Sequence, residues 1–136
     1  MSKLIPSPQP VIAPRPPPPY YAVIFTSRRN SHDQAGYEGM AALMAGLAVQ
    51  QPGYLGMESA RDADGLGITV SYWQSLDDIA AWRGHAEHAL ARGQGRADWY
   101  DAYALRISRV ERAYGWERSQ DGPGDPADSA DPRPAA

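Results

Sequence analysis

Between Tyr20 and Trp116 the spacing of apolar residues changes repeatedly, and each change marks an element. Tyr20 to Arg28 (YYAVIFTSR) is a β-branched and aromatic run without clean alternation. It is too short for a buried helix, which predicts a strand covered on both faces. Beyond a polar stretch, Tyr37, Met40, Leu43, Met44 and Leu47 recur at i, i+3, i+4 and i+7, an amphipathic helix ending before Pro52-Gly53. Tyr54 to Arg61 (YLGMESAR) predicts a second strand, and Asp62-Ala63-Asp64-Gly65 has the turn chemistry of a hairpin leading into Ile68 to Trp73.

The third strand feeds directly into a second helix. Ser75, with Asp78 three positions on, forms a capping-box-like start, and Asp77 and Asp78 oppose the positive end of the helix dipole. Ile79, Trp82, Ala86, Ala89 and Leu90 make the apolar stripe. His85 sits about 100° of helical rotation from its centre and should flank the buried face, whereas His88 should lean to solvent. Gly93 and Gly95 break this helix, and from Asp101 the run DAYALRISRVERAYGW alternates in part and reads as a long last strand.

Strand, helix, strand, strand, helix, strand is the α+β, ferredoxin-like βαββαβ order, a four-stranded antiparallel sheet with two helices on one face. The first and third strands are too apolar to leave the other face wet. A second copy is the simplest cover, so a homodimer closing as an α+β barrel is expected.

Composition narrows the function. Of 13 prolines in 136 residues, eight lie within residues 1–19 and four beyond residue 116. Residues 1–19 are therefore expected as a disordered Pro-rich arm, 20–116 as the folded domain, and 117–136 as a disordered acidic Pro/Ala-rich tail. The net charge of −3 comes with no clustered basic face, so nucleic acid is not an expected partner. No cysteine is present, which excludes thiolate ligands and nucleophiles. Two histidines one turn apart lack an identified third ligand, so no metal site is predicted. Without an apolar leader or a membrane-length run, a cytoplasmic protein with no membrane partner is expected.

Pro52-Gly53-Tyr54-Leu55-Gly56-Met57-Glu58-Ser59, Tyr72-Trp73, Trp82-Arg83-Gly84-His85-Ala86-Glu87-His88 and Trp99-Tyr100, in this order and spacing, resemble the antibiotic biosynthesis monooxygenase (ABM) domain family of the dimeric α+β barrel superfamily. The resemblance implies a dimer with a pocket between helices and sheet in each subunit. It also implies a monooxygenase: either a cofactor-independent oxygenase of aromatic or polycyclic small molecules, or a haem-binding, haem-degrading relative. Haem-degrading members use an Asn on the first strand, a Trp ending the third and a His on the second helix. Here Trp73 fits the Trp position and His85 or His88 the His, but the first strand carries Thr26 and Ser27 where Asn is expected.

A cofactor-free oxygenase needs a base, a dry pocket and donors for the developing anion. His85 is the candidate base, because histidine titrates near neutral pH and this one borders the stripe. Trp73 joins it as a catalytic candidate, with Tyr72, Trp82, His88, Tyr100 and Glu58 as substrate-binding candidates. Tyr72 and Trp73 must point to opposite faces of their strand. Each has a plainer reading: Trp82 as core, His88 as solvated, Glu58 in a salt bridge to Arg106 or Arg109. A non-catalytic small-molecule binder or dimerisation module is the alternative to any enzyme.

Overall fold

The computed structural model describes residues 12–93 and 99–118; the side chains of residues 87–93 fall outside that description. The elements are β1 (Tyr20–Arg29), α1 (Gln34–Val49), β2 (Tyr54–Arg61), β3 (Leu66–Trp73), α2 (Leu76–Gly93) and β4 (Tyr100–Val110). They form one sheet of order β2-β3-β1-β4 with every neighbouring pair antiparallel, the ferredoxin-like α+β arrangement expected.

Local chemistry fixes the element ends. Asp62 Oδ1 accepts from the N–H groups of Asp64 (2.9 Å) and Leu66 (3.0 Å), closing the β2–β3 turn. Gly65 in that turn has φ 95°, and a Cβ there would lie 2.6 Å from the Arg29 carbonyl oxygen. Glycine thus lets the turn meet the end of β1, where the Arg29 N–H donates to the Gly65 oxygen at 2.9 Å. Ser75 Oγ accepts from the Asp78 N–H at 3.0 Å and donates to Asp78 Oδ2 at 2.8 Å, so the start read for α2 is a true cap. Asp33 caps α1 by accepting from the Gly36 N–H.

β4 is shorter than its alternating pattern suggests. Its ladder ends where Val110 pairs with Tyr20, because the residues before Tyr20 on the partner strand are prolines without N–H donors.

The sheet has two unlike faces. Val23, Trp73 and Ile79 form the buried core on the helix side, with Tyr21, Tyr54 and Trp82 packed against them. On the opposite side lie Ala22 and Ile24, in register with Tyr72 and Val70, and Tyr20, whose ring meets Tyr72. A second copy was the expected cover for this opposite face, but part of it is covered by the chain's own arm. Ala13 is only 4% exposed, and its N–H donates to Glu58 Oε2 at 2.8 Å. Gly56 permits the approach, since a Cβ at that position would lie 3.0 Å from the Ala13 Cβ. Residues 12–15 therefore depart from the disordered arm expected from proline content. The prolines hold the arm extended at little further entropic cost, so a few anchoring contacts are enough to dock it. Residues 1–11 and 119–136, the bulk of the two expected disordered tails, lie outside the described residues.

Candidate functional site

The structure divides the candidate residues among separate places. Trp73 faces the helices, fully buried. Its Nε1–H donates to Ser71 Oγ at 2.8 Å. Its ring stacks on Trp82 (centroids 6.0 Å, interplanar 20°) and meets Tyr54 edge-on at 5.6 Å. With its N–H used and both faces covered, Trp73 packs the core and has no free surface for a guest. His85, expected to flank the buried stripe, is exposed on α2. The stripe here is narrow: Ile79 is buried, Trp82 and Ala86 partly so, and a residue 100° away already reaches solvent. The His88 side chain lies outside the described residues.

Tyr72 and Glu58 stand on the opposite face, beneath the arm. The Tyr72 hydroxyl donates to Glu58 Oε1 at 2.9 Å, and Tyr20 packs edge-on against Tyr72 at 5.9 Å. Burial, then the bonded Glu58 carboxylate, pushes the Tyr72 phenol up to about 12. With Ala13, Arg15, Tyr20 and Val110 the pair borders a cavity of about 260 Å³. The salt bridge expected from Glu58 to Arg106 or Arg109 does not form, because strand order sets β2 and β4 on opposite edges of the sheet. The arm supplies a backbone donor in its place.

Tyr100 belongs to a third group, on the helix side but at the far end from Trp73. Phe25 contacts Tyr100 and Tyr103 at 5.6 and 5.5 Å, and Tyr37 of α1 meets Trp99 and Tyr100, each at 6.1 Å. Trp99 is buried and donates to Asp33 Oδ2 at 3.2 Å. Two arginines approach the Tyr37 ring, with Cζ atoms 3.8 Å (Arg29) and 5.8 Å (Arg61) from its centroid. Arg61 also donates to Ser27 Oγ at 2.8 Å and to the Gly65 carbonyl. Burial and the hydrogen-bonded neighbour Tyr37 push Tyr100 up to about 12, against the opposing pull of Arg61 and Arg29.

From this end an apolar strip runs along β4. Tyr103, Leu105 and Ile107 pair with Ser27, Phe25 and Val23, which places them on the helix-side face. They are nonetheless 45, 42 and 40% exposed. Among the described residues the helices cover the β3 half of this face and leave the β4 half open. Arg29, Arg61, Tyr37, Phe25 and Tyr103 were missed as site residues. Period-2 alternation in the first strand puts Phe25, Ser27 and Arg29 on the Val23 side, a signal obscured because the run reads as uniformly apolar. No cluster of three or more metal-ligating side chains occurs among the described residues.

A sheet of this order with two helices on one face defines a ferredoxin-like α+β domain. The sequence profile for antibiotic biosynthesis monooxygenase matches residues 20–94, and the chain belongs to that family. It is 55% identical over 97 residues to YqjZ of Bacillus subtilis strain 168, an uncharacterized protein, covering 71% of this chain and 84% of YqjZ. SnoaB, a cofactor-independent oxygenase from Streptomyces nogalater, superposes with TM-score 0.54 at 12% identity, covering 70% of this chain and 95% of SnoaB. MhuD, solved with manganese protoporphyrin IX, gives TM-score 0.55 at 21% identity, covering 70% of this chain and 98% of MhuD. At these identities the two structures establish the fold they share with this chain. Among the described residues no helix is long and apolar enough to cross a membrane.

Proposed function

We propose that the protein is a cofactor-independent monooxygenase that oxidises a phenolic aromatic molecule lying against the helix-side face of β1 and β4. The observation supporting this reading is the open strip of Tyr103, Leu105 and Ile107, bounded by the rings of Phe25, Tyr37 and Tyr100. An apolar guest lying there would remove these side chains from water, at about 25 cal/mol per Å². In the proposed reaction the substrate supplies the electrons. One oxygen atom of dioxygen becomes the new quinone carbonyl, and the other leaves as water with the two hydrogens lost from the substrate. His85, exposed on α2, is the proposed base.

Haem is the second reading, and the residues present fit it poorly. The Trp73 N–H is used by Ser71, and the Ser27 hydroxyl is held by Arg61. A homodimer belongs to the same proposal. Beyond the arm, Ile24 and Val70 are only partly buried and Ile68 is 47% exposed on the non-helical sheet face, which suits a second copy.

Oxygen uptake with a panel of naphthols and anthrones tests the proposal. Uptake that survives chelator treatment and falls in His85→Ala is expected. Absence of uptake across the panel, or its loss on chelation, contradicts the reading. A haem titration separates the second reading, since a Soret shift lost in His85→Ala would favour haem ligation.

A further inference from the structure

Arg29 presents an unfinished hydrogen-bonding edge. Its Nη1 donates to Gln34 Oε1 at 3.1 Å, while Nε and Nη2 are buried with no partner. These two nitrogens form one edge of the guanidinium, whose parallel N–H bonds match the two oxygens of a carboxylate. Among the described residues no carboxylate pairs with Arg29 or with Arg61; the nearby Asp33 accepts from the Gly36 N–H and from Trp99, and Asp62 from its own turn. Stacking on Tyr37 offsets part of the cost of burying the guanidinium. Two donors left unpaired on a charged group cost more than one such stack returns. The stacking therefore leaves a deficit that a bidentate anion would remove.

Position gives the anion its context. The Tyr37 ring under Arg29 touches Tyr100, and Tyr100 touches Phe25, where the apolar strip begins. Arg61 adds a second positive charge beside the same ring. We infer that the ligand of this face is an aromatic carboxylate, its carboxylate on the Nε–Nη2 edge of Arg29 and its ring system against Tyr100 and Phe25, where the strip begins. The inference rests on the reading of the β1–β4 strip as the substrate face. The Arg29 edge is shielded from water, so docking requires a local opening around it.

The probes are 1-hydroxy-2-naphthoate, its methyl ester and 1-naphthol, with binding to the full chain read by ligand fluorescence. The acid should bind wild type about tenfold tighter than the ester or the naphthol, the factor expected of one charge-assisted pair. Arg29→Gln should erase that gap, and Arg29→Lys should restore part of it. Equal affinities of acid and ester in wild type overturn the inference without any variant, so a folding defect in Arg29→Gln cannot mask the result. If naphthol binds and supports oxygen uptake but the acid has no advantage, the carboxylate inference fails and the oxygenase reading stands. If none of the three binds, both fail.

Discussion

Undocking the arm from the sheet should measurably weaken the fold. Ala13→Asp places a carboxylate beside Glu58 at a position only 4% exposed. The arm can detach to avoid the repulsion, so the loss is capped at the arm's docking free energy. A hydrogen bond to a carboxylate contributes about 1.5–3 kcal/mol, and burial of the Ala13 methyl adds about 0.8 kcal/mol. Against this stands the ordering of residues 12–15, about 1 kcal/mol per residue for a free chain and roughly half that, about 2 kcal/mol in all, because Pro14 and the residues beside it are already restricted. The net is about 1 kcal/mol, which lowers the melting temperature of a domain of this size by roughly 4–8 °C. Circular dichroism against temperature gives the value. Spectrophotometric titration adds a second readout, since losing its cover should bring Tyr72 down from about 12. An unchanged melting temperature together with an unchanged Tyr72 titration would refute the claim that the arm is part of the fold.

Ser71→Ala should leave the buried Trp73 Nε1–H without its acceptor and cost about 1–3 kcal/mol, read as a lowered urea midpoint at constant slope. Alkaline stability follows from the two tyrosines raised to about 12. Each is protonated in both folded and unfolded chains below pH 9, so neither affects stability there; above pH 10 the unfolded chain releases its proton first, and stability falls until the pH passes 12. Absorbance at alkaline pH should show part of the chain's eight tyrosines ionising late, and a single transition at the ordinary phenol value would contradict the two environments.

The fold was readable because local signals agreed with one another. Ser75 with Asp78, the aspartates of the β2–β3 turn, and the shift from β-branched runs to helical spacing each act over a few residues, where sequence and geometry are closely tied. The site was less readable because it depends on strand order. Glu58 could be seen to need a partner, but the sequence could not show that Arg106 and Arg109 stand at the far edge of the sheet or that Ala13 returns to supply the donor. Arg29, one residue past the Tyr20 to Arg28 run, gives no signal of its own in the sequence. Its meaning comes from Tyr37, which α1 brings over it. Trp73 fits the family position, yet its burial between Tyr54 and Trp82 gives it a packing role in this chain.

The central claim is that the helix-side face of β1 and β4 takes the ligand while the arm-covered face does not. Backbone amide shifts during titration of the isotope-labelled protein with 1-hydroxy-2-naphthoate test it directly. Changes are expected at Phe25, Arg29, Tyr100, Tyr103 and Leu105, with Ala13, Glu58 and Tyr72 unmoved. Changes confined to Ala13, Glu58 and Tyr72 would contradict it and would place the ligand in the cavity beneath the arm.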